Sequence, residues 1–266
     1  MLKILGSLLI FALVYALLYV ALNRSIYYPM KYPQGFWDVQ KIIGATDVWL
    51  RTRDGVRLHG WWVDRGGARA VTLLFHGNAG NLTHRANHIR RITEAGSALL
   101  IIDYRGYGKS DGWPHESGLY SDAEAACQYV LEQGWKPSQV IAHGESLGTA
   151  VAVDLASRRR CGGVILEAPF TSARAVAMRV LPLVGPLLTS GFDSSRKIPE
   201  IRAPLLIIHG ERDEVIDFSF GRRLFEAARE PKTFWAVPGA GHNDLVEAAG
   251  PAYGERLHAF YASVSR

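Results

Sequence analysis

Three residues far apart in the chain have the types and settings needed for nucleophilic acyl transfer. Ser146 lies in Gly144-Glu145-Ser146-Leu147-Gly148, a G-x-S-x-G sequence that follows a short aliphatic run and opens a helical pattern. Glycines belong at 144 and 148 because a serine held on a sharp strand-to-helix turn leaves no room for neighbouring side chains. A serine hydroxyl is a poor nucleophile at neutral pH and needs a base to take its proton. Of the nine histidines, His242 fits best: it sits in Pro238-Gly239-Ala240-Gly241-His242-Asn243-Asp244, between the last predicted strand and the final helix. The base needs an acid on its other nitrogen to fix the tautomer and stabilise the imidazolium, and Asp213 in Gly210-Glu211-Arg212-Asp213 follows a strand in the right chain order. Glu211, Glu214 and Asp217 compete for that role, as does Glu167 at the end of another strand.

Acyl transfer also requires hydrogen-bond donors where charge develops on the carbonyl oxygen, each worth about 2.7–4 kcal/mol of barrier. The backbone N–H of Leu147, at a helix N-terminus, is one candidate. The other is the N–H of Asn78 in His76-Gly77-Asn78-Ala79-Gly80-Asn81, which follows a predicted strand.

These residues need a frame that brings loop ends to one edge. Thr46 to Arg51 and Val56 to Val63 alternate around the turn pair Asp54-Gly55 and predict an antiparallel hairpin. Beyond it, strands are expected at Ala70 to Phe75, Ala98 to Asp103, Gln139 to Ala142, Gly163 to Glu167, Leu205 to His209 and Thr233 to Val237. Helical patterns cover Leu82 to Ala95, Glu116 to Gln133, Leu147 to Arg158, Phe218 to Ala228 and Glu247 to Val264. This alternation predicts an α/β fold: a mostly parallel central sheet with helices on both faces, and a ligand site beyond the carboxyl ends of its strands. Between Phe170 and Pro199, an insertion rich in Met178, Val180, Leu181, Leu183, Val184, Leu187, Leu188 and Phe192 is broken by Pro182, Gly185 and Pro186. It reads as a short helical lid, either an apolar roof for an acyl chain or a cover for the sheet edge.

Ile4 to Leu22 contains nineteen residues without a charge, enough at about 1.5 Å per residue to cross a hydrocarbon core of roughly 30 Å. Tyr19-Val20-Ala21 makes a poor signal-peptidase site, so the expectation is an uncleaved, single-pass N-terminal transmembrane helix. Asn23, Arg24, Tyr27, Tyr28 and Lys31 form an interfacial collar; Lys3 balances Arg24 and Lys31, and the side of the membrane stays open. The expected organisation is an anchor at 1–24, a juxtamembrane linker at 25–45 and one catalytic domain at 46–266, with the lid at 170–199.

Composition sets further bounds. With 48% hydrophobic and 21% charged residues the chain carries enough apolar material for one large core. The net charge of +5 is scattered over Arg51/Arg53/Arg57, Arg158 to Arg160 and Arg222/Arg223 without interleaved aromatics, which argues against nucleic acid as a partner. Cys127 and Cys161 stand apart from each other and from any metal-ligand spacing, and no nucleotide-, flavin- or metal-binding motif appears, so no cofactor is expected.

Six ordered blocks, His76 to Asn81, Asp103 to Ser110, Gly144 to Gly148, Glu167 to Thr171, His209 to Asp213 and Gly241 to Asp244, resemble α/β-hydrolase-domain proteins. The likeness is to the small, membrane-anchored branch that includes depalmitoylating acyl-protein thioesterases and related esterases. It implies the α/β-hydrolase fold, a Ser-His-Asp triad and cleavage of an ester or thioester in an acyl substrate, a lipid or an acylated protein. The His-Gly-x oxyanion segment departs from the triple-glycine form of many lipases. Serine at 146 excludes the carboxylate nucleophile of haloalkane and epoxide hydrolases. A serine peptidase or amidase on the same fold, and a catalytically silent membrane-anchored binding module, are the alternatives.

Overall fold

A computed structural model describes residues 2–264, apart from the side chains of residues 2–9, 11, 12 and 188. The lid residue Leu188 and much of the first half of the predicted membrane span therefore lie outside the described side chains.

Among the described residues ten strands form two sheets. β1 (Tyr28–Pro29) and β5 (Ala79–Gly80) make a small parallel pair. The main sheet contains β2 (Thr46–Arg51), β3 (Arg57–Val63), β4 (Ala70–Phe75), β6 (Ser97–Ile102), β7 (Val140–Glu145), β8 (Gly163–Glu167), β9 (Leu205–Gly210) and β10 (Lys232–Val237). Its order is β10-β9-β8-β7-β4-β6-β3-β2, parallel from β10 to β6 and antiparallel at β3 and β2. The mostly parallel sheet expected from the alternation of runs is present, with the predicted hairpin on its edge.

The helices are α1 (Leu2–Arg24), α2 (Val39–Ile43), α3 (Ala86–Glu94), α4 (Glu116–Glu132), α5 (Leu147–Arg158), α6 (Ala173–Val180), α7 (Gly185–Leu188), α8 (Ser194–Lys197), α9 (Phe218–Ala227), α10 (Leu245–Ala249) and α11 (Pro251–Val264). Strand periodicity divides the core between the two faces of the sheet. Val71, Leu73 and Phe75 of β4 join Leu119, Ala123 and Val151 of α4 and α5 on one face. Ala70 and Leu74 meet Ile89, Ile92 and Leu257 of α3 and α11 on the other.

Several boundaries differ from the sequence expectation. β7 runs on to Glu145, because Gly144 and Glu145 pair with Leu166 and Glu167 of β8 and so carry the strand to the serine itself. The predicted last helix is two: Gly250 adopts φ +56°, and Pro251, which has no N–H to give, starts α11. The Leu82 to Ala95 helix begins as a 3₁₀ turn over Leu82–Arg85, capped by the Asn81 side chain, before α3 takes over. Segment 170–199 holds α6, α7 and α8, with the Ser172 and Asp193 side chains accepting from Ala175 N and Arg196 N at the starts of α6 and α8.

The expected transmembrane run falls on α1, but among the described residues no helix is long and apolar enough to cross a membrane. The described part of α1 leans on the lid: Tyr15 Oη donates to Leu187 O at 2.7 Å, and Ser190 N donates to Asn23 Oδ1 at 3.4 Å.

Candidate active site

At the end of β7 the backbone turns at Ser146, with φ 51° and ψ −114°, before α5 begins at Leu147. A positive φ on a non-glycine residue is strained and persists only where its surroundings enforce it. They do so here. Ser146 N donates to Glu167 O at 2.9 Å, and Thr149 Oγ1 donates to Ser146 O at 2.6 Å. A Cβ at Gly144 would lie 2.3 Å from Gly148 O, and one at Gly148 would lie 1.9 Å from Phe75 O. Both glycines are therefore steric requirements of the turn, as the pentapeptide suggested.

The turn presents Ser146 Oγ 3.0 Å from His242 Nε2, and His242 Nδ1 lies 2.8 Å from Asp213 Oδ2. Residues separated by 96 and 29 positions thus form one hydrogen-bonded line across the loops after β7, β9 and β10. Gly210 lets two of those loops meet, since a Cβ there would approach Ala240 O to 2.5 Å and Gly241 O to 2.6 Å. The Asp213 side chain is fully buried, and its other oxygen accepts from Val215 N at 2.9 Å and Ile216 N at 2.7 Å. Burial alone would raise its pKa, but hydrogen bonds from His209, His242 and the Ile216 backbone outweigh that and hold the carboxyl well below the ordinary range. It stays an anion facing the imidazole.

The competing acids are otherwise engaged. Asp217 accepts from Ser219 N at the start of α9 and pairs with Arg179 at 2.5 Å. Glu214 and Glu211 are exposed at the surface. Glu167 is buried beneath the site, accepting from His143 at 2.6 Å, from His88 at 3.2 Å and from Tyr253 Oη. Burial pushes its pKa up, yet His143 and His88 prevail and keep it ionised far below the ordinary range. Its partners come from β7, α3 and α11, so it ties three elements together behind the serine; nothing in its sequence neighbourhood announced that role. Glu145, beside Ser146, bonds Arg85 Nε at 2.5 Å; burial raises its pKa, and the Arg85 and His88 charges bring it below normal.

Leu147 follows the serine as the first residue of α5, and Asn78 lies in the loop after β4. Gly77, next to Asn78, packs on the turn: a Cβ there would sit 3.5 Å from Ser146 Cβ. Among the described residues no protein acceptor is found for the Leu147 or Asn78 amide. A cleft of about 400 Å³ opens over Ser146 and His242, with Met30, His84, Arg85, Glu145 and Asn243 in its walls. Among the described residues none of segment 170–199 lines it; Met178, Val180, Leu181, Leu183, Val184 and Leu187 are exposed, Leu183 at 88% and Val180 at 70%, whereas Phe192 is buried in the core. Among the described residues no group of three or more His, Cys, Asp or Glu is arranged to hold a metal ion.

A family model described as serine aminopeptidase, S33 (Hydrolase_4) matches residues 66–196. An uncharacterised protein of Mycobacterium tuberculosis is 39% identical over 229 residues, covering 84% of this chain and 80% of its own length. The human α/β hydrolase domain-containing protein 17B is 41% identical over 213 residues, covering 79% of this chain and 73% of its own. The chain belongs to the α/β-hydrolase family. Solved structures agree with the fold of this hydrolase: an esterase from Pyrococcus furiosus superposes with a TM-score of 0.75 at 20% identity, over 90% of this chain and all of the other. A membrane phospholipase A superposes with a TM-score of 0.65 at 17% identity, over 98% of each chain.

Proposed function

We propose that this hydrolase cleaves carboxylic ester or thioester bonds of acyl substrates through Ser146, His242 and Asp213. The observation that carries the reading is the unbroken line from Ser146 Oγ through His242 to Asp213, at 3.0 and 2.8 Å, on a strained strand-to-helix turn. Ser146 Oγ attacks the carbonyl carbon while His242 Nε2 takes its proton, and Asp213 stabilises the resulting imidazolium. The Leu147 and Asn78 amides hold the oxyanion. Collapse expels the alcohol or thiol with the proton from His242. Water, deprotonated by the same nitrogen, then attacks the acyl-enzyme and releases the acid.

The surroundings of the site bear on the substrate class. Leu13, Leu17 and Val20 of α1 are exposed, and α1 is hydrogen-bonded to a lid whose Leu181, Leu183 and Leu187 are exposed as well. Apolar surface on both elements is favourable only where something apolar covers it. We assign α1 and the lid it contacts to a shared lipid-facing surface that anchors the chain to the membrane, so that the substrate is a membrane lipid or an acylated protein. The description of the matched family favours one rival, amide cleavage at a peptide N-terminus.

The test is labelling by a fluorophosphonate probe of wild type beside Ser146→Ala, followed by p-nitrophenyl esters of rising acyl length, an acyl thioester and an aminoacyl p-nitroanilide. Labelling that vanishes in Ser146→Ala, with turnover of esters or thioesters and none of the anilide, supports the reading. A folded wild type that takes no label sinks it, and anilide turnover above ester turnover replaces it with the peptidase.

A further inference from the structure

The segment that leaves α1 does not run free to the hydrolase domain. It is laid along the loop that carries Asn78. β1 pairs with β5 in register Tyr28↔Ala79 and Pro29↔Gly80. Tyr28 N donates to Asn78 O at 3.0 Å and Met30 N to Gly80 O at 2.9 Å. In return Asn78 Nδ2 donates to Ile26 O at 3.0 Å, and Asn81 Nδ2 donates to Met30 O at 3.1 Å and Gln34 O at 2.9 Å. From the far side, Tyr107 Oη reaches the same Asn78 carbonyl at 2.7 Å. Tyr107 is fully buried.

These bonds control two peptide planes. The Asn78 N–H lies in the plane of the Gly77 carbonyl, and in a trans peptide the two point in opposite directions. Gly77 O is held by His76 Nδ1 at 2.7 Å, which turns the N–H the other way. The next plane is fixed through Asn78 O by Tyr28 N and Tyr107 Oη. With both planes and the side-chain amide anchored, the Asn78 backbone cannot rotate without breaking several bonds. Preorganisation of this kind is what makes an oxyanion donor effective, because nothing has to reorient as charge develops.

We infer that residues 26–30 are a positioning strap for the oxyanion loop, so that the segment joining α1 to the catalytic domain is part of the rate-determining machinery as well as a tether. The inference rests on the reading of Asn78 as an oxyanion donor. The strap residues and Tyr107 are positioning residues: they act on Asn78, and Met30 alone among the strap residues lines the cleft. The arrangement also links the chain just beyond α1 to the oxyanion loop, through the bonds of Ile26 and Tyr28 to Asn78.

The test uses the full chain in detergent micelles. Tyr107→Phe removes one bond to Asn78 O and keeps the buried ring; Asn78→Ala keeps the backbone N–H and removes the tie to Ile26 O. Losing a whole oxyanion donor costs about 10²–10³ in kcat, so loosening one is expected to cost about ten- to hundredfold. KM should stay within about twofold, and inhibition by a boronic acid that mimics the tetrahedral species should weaken by the same factor as kcat. The fraction of enzyme finally labelled by a fluorophosphonate should match wild type. Unchanged kcat in both variants overturns the strap, as does a kcat loss matched by an equal loss of labelled enzyme, which would reflect unfolding. Failure of the underlying hydrolase reading looks different, because wild type then takes no label and the strap falls with it.

Discussion

Asp213→Asn tests the orientation of the base, and the structure dictates the outcome. Asp213 Oδ1 accepts two backbone N–H groups, from Val215 and Ile216, while Oδ2 faces His242 Nδ1 at 2.8 Å and His209 Nε2 at 3.3 Å. The asparagine carbonyl must take the Oδ1 position, because the opposite placement would set its NH₂ against two N–H groups. A buried donor without an acceptor costs about 1–3 kcal/mol, with less at Val215, which is exposed, so the flipped amide is disfavoured by a few kcal/mol. The NH₂ therefore points at His242 and donates to Nδ1. Imidazole answers by carrying its proton on Nε2, the nitrogen that should accept from Ser146. Geometry survives and the base is lost. A fall in kcat/KM of about 10³–10⁴, or about 4–5.5 kcal/mol, is expected on a short p-nitrophenyl ester, with a melting temperature close to wild type. An Asp213→Asn enzyme within tenfold of wild type would refute the reasoning and send the search back to Glu214 or Glu211.

Three further outcomes follow from particular contacts. Gly148→Ala places a Cβ 1.9 Å from Phe75 O, where backbone stands on both sides; overpacking of about 1–3 kcal/mol should lower Tm by several degrees and abolish turnover, whereas wild-type Tm and rate would show that the turn has slack. His76, fully buried, has its pKa pushed down by burial to about 4 from 6.5, against the opposing charge of Asp103. Because the unfolded chain takes up that proton first, the stabilisation is complete above pH 6.5 and is lost as pH falls toward 4. Its full size is about 3 kcal/mol, and His76→Asn should flatten that part of the stability curve in urea unfolding; parallel wild-type and variant curves would contradict it. Leu183→Glu, at an 88% exposed lid position, should leave stability within about 0.5 kcal/mol and short-ester hydrolysis intact. It should also slow hydrolysis of long-chain esters presented in phosphatidylcholine vesicles, and equal rates on both substrates would remove the lid from the lipid surface.

The sequence by itself determined what depends on local sterics and short-range periodicity. Short, nearly continuous apolar runs in β4 and β6 mark strands covered on both faces, and that pattern is visible without knowing what lies on either face. Gly144 and Gly148 are legible because no other residue fits a serine turn of this kind, and the chain order of Ser146, Asp213 and His242 follows from each lying just after a strand. What only the tertiary structure decided are matters of long-range direction. Asp213, Glu211 and Glu214 share one loop, and Asp213 faces His242 because the Val215 and Ile216 amides turn its carboxylate inward. Glu167 looked like a candidate acid, but the histidines that claim it are 24 and 79 positions away. The lid's apolar residues fitted either a roof over the cleft or a cover for the sheet edge; Phe192 is buried in the core while Val180, Leu183 and Leu187 are exposed, a division that no count of hydrophobic residues can show. The strap is the clearest case: β1 and β5 are two residues each, too short to leave any periodicity, and exist because Tyr28 and Asn78, fifty positions apart, satisfy each other's backbone. A pairing between distant segments is set by where the rest of the fold carries them, and a local pattern holds no record of it.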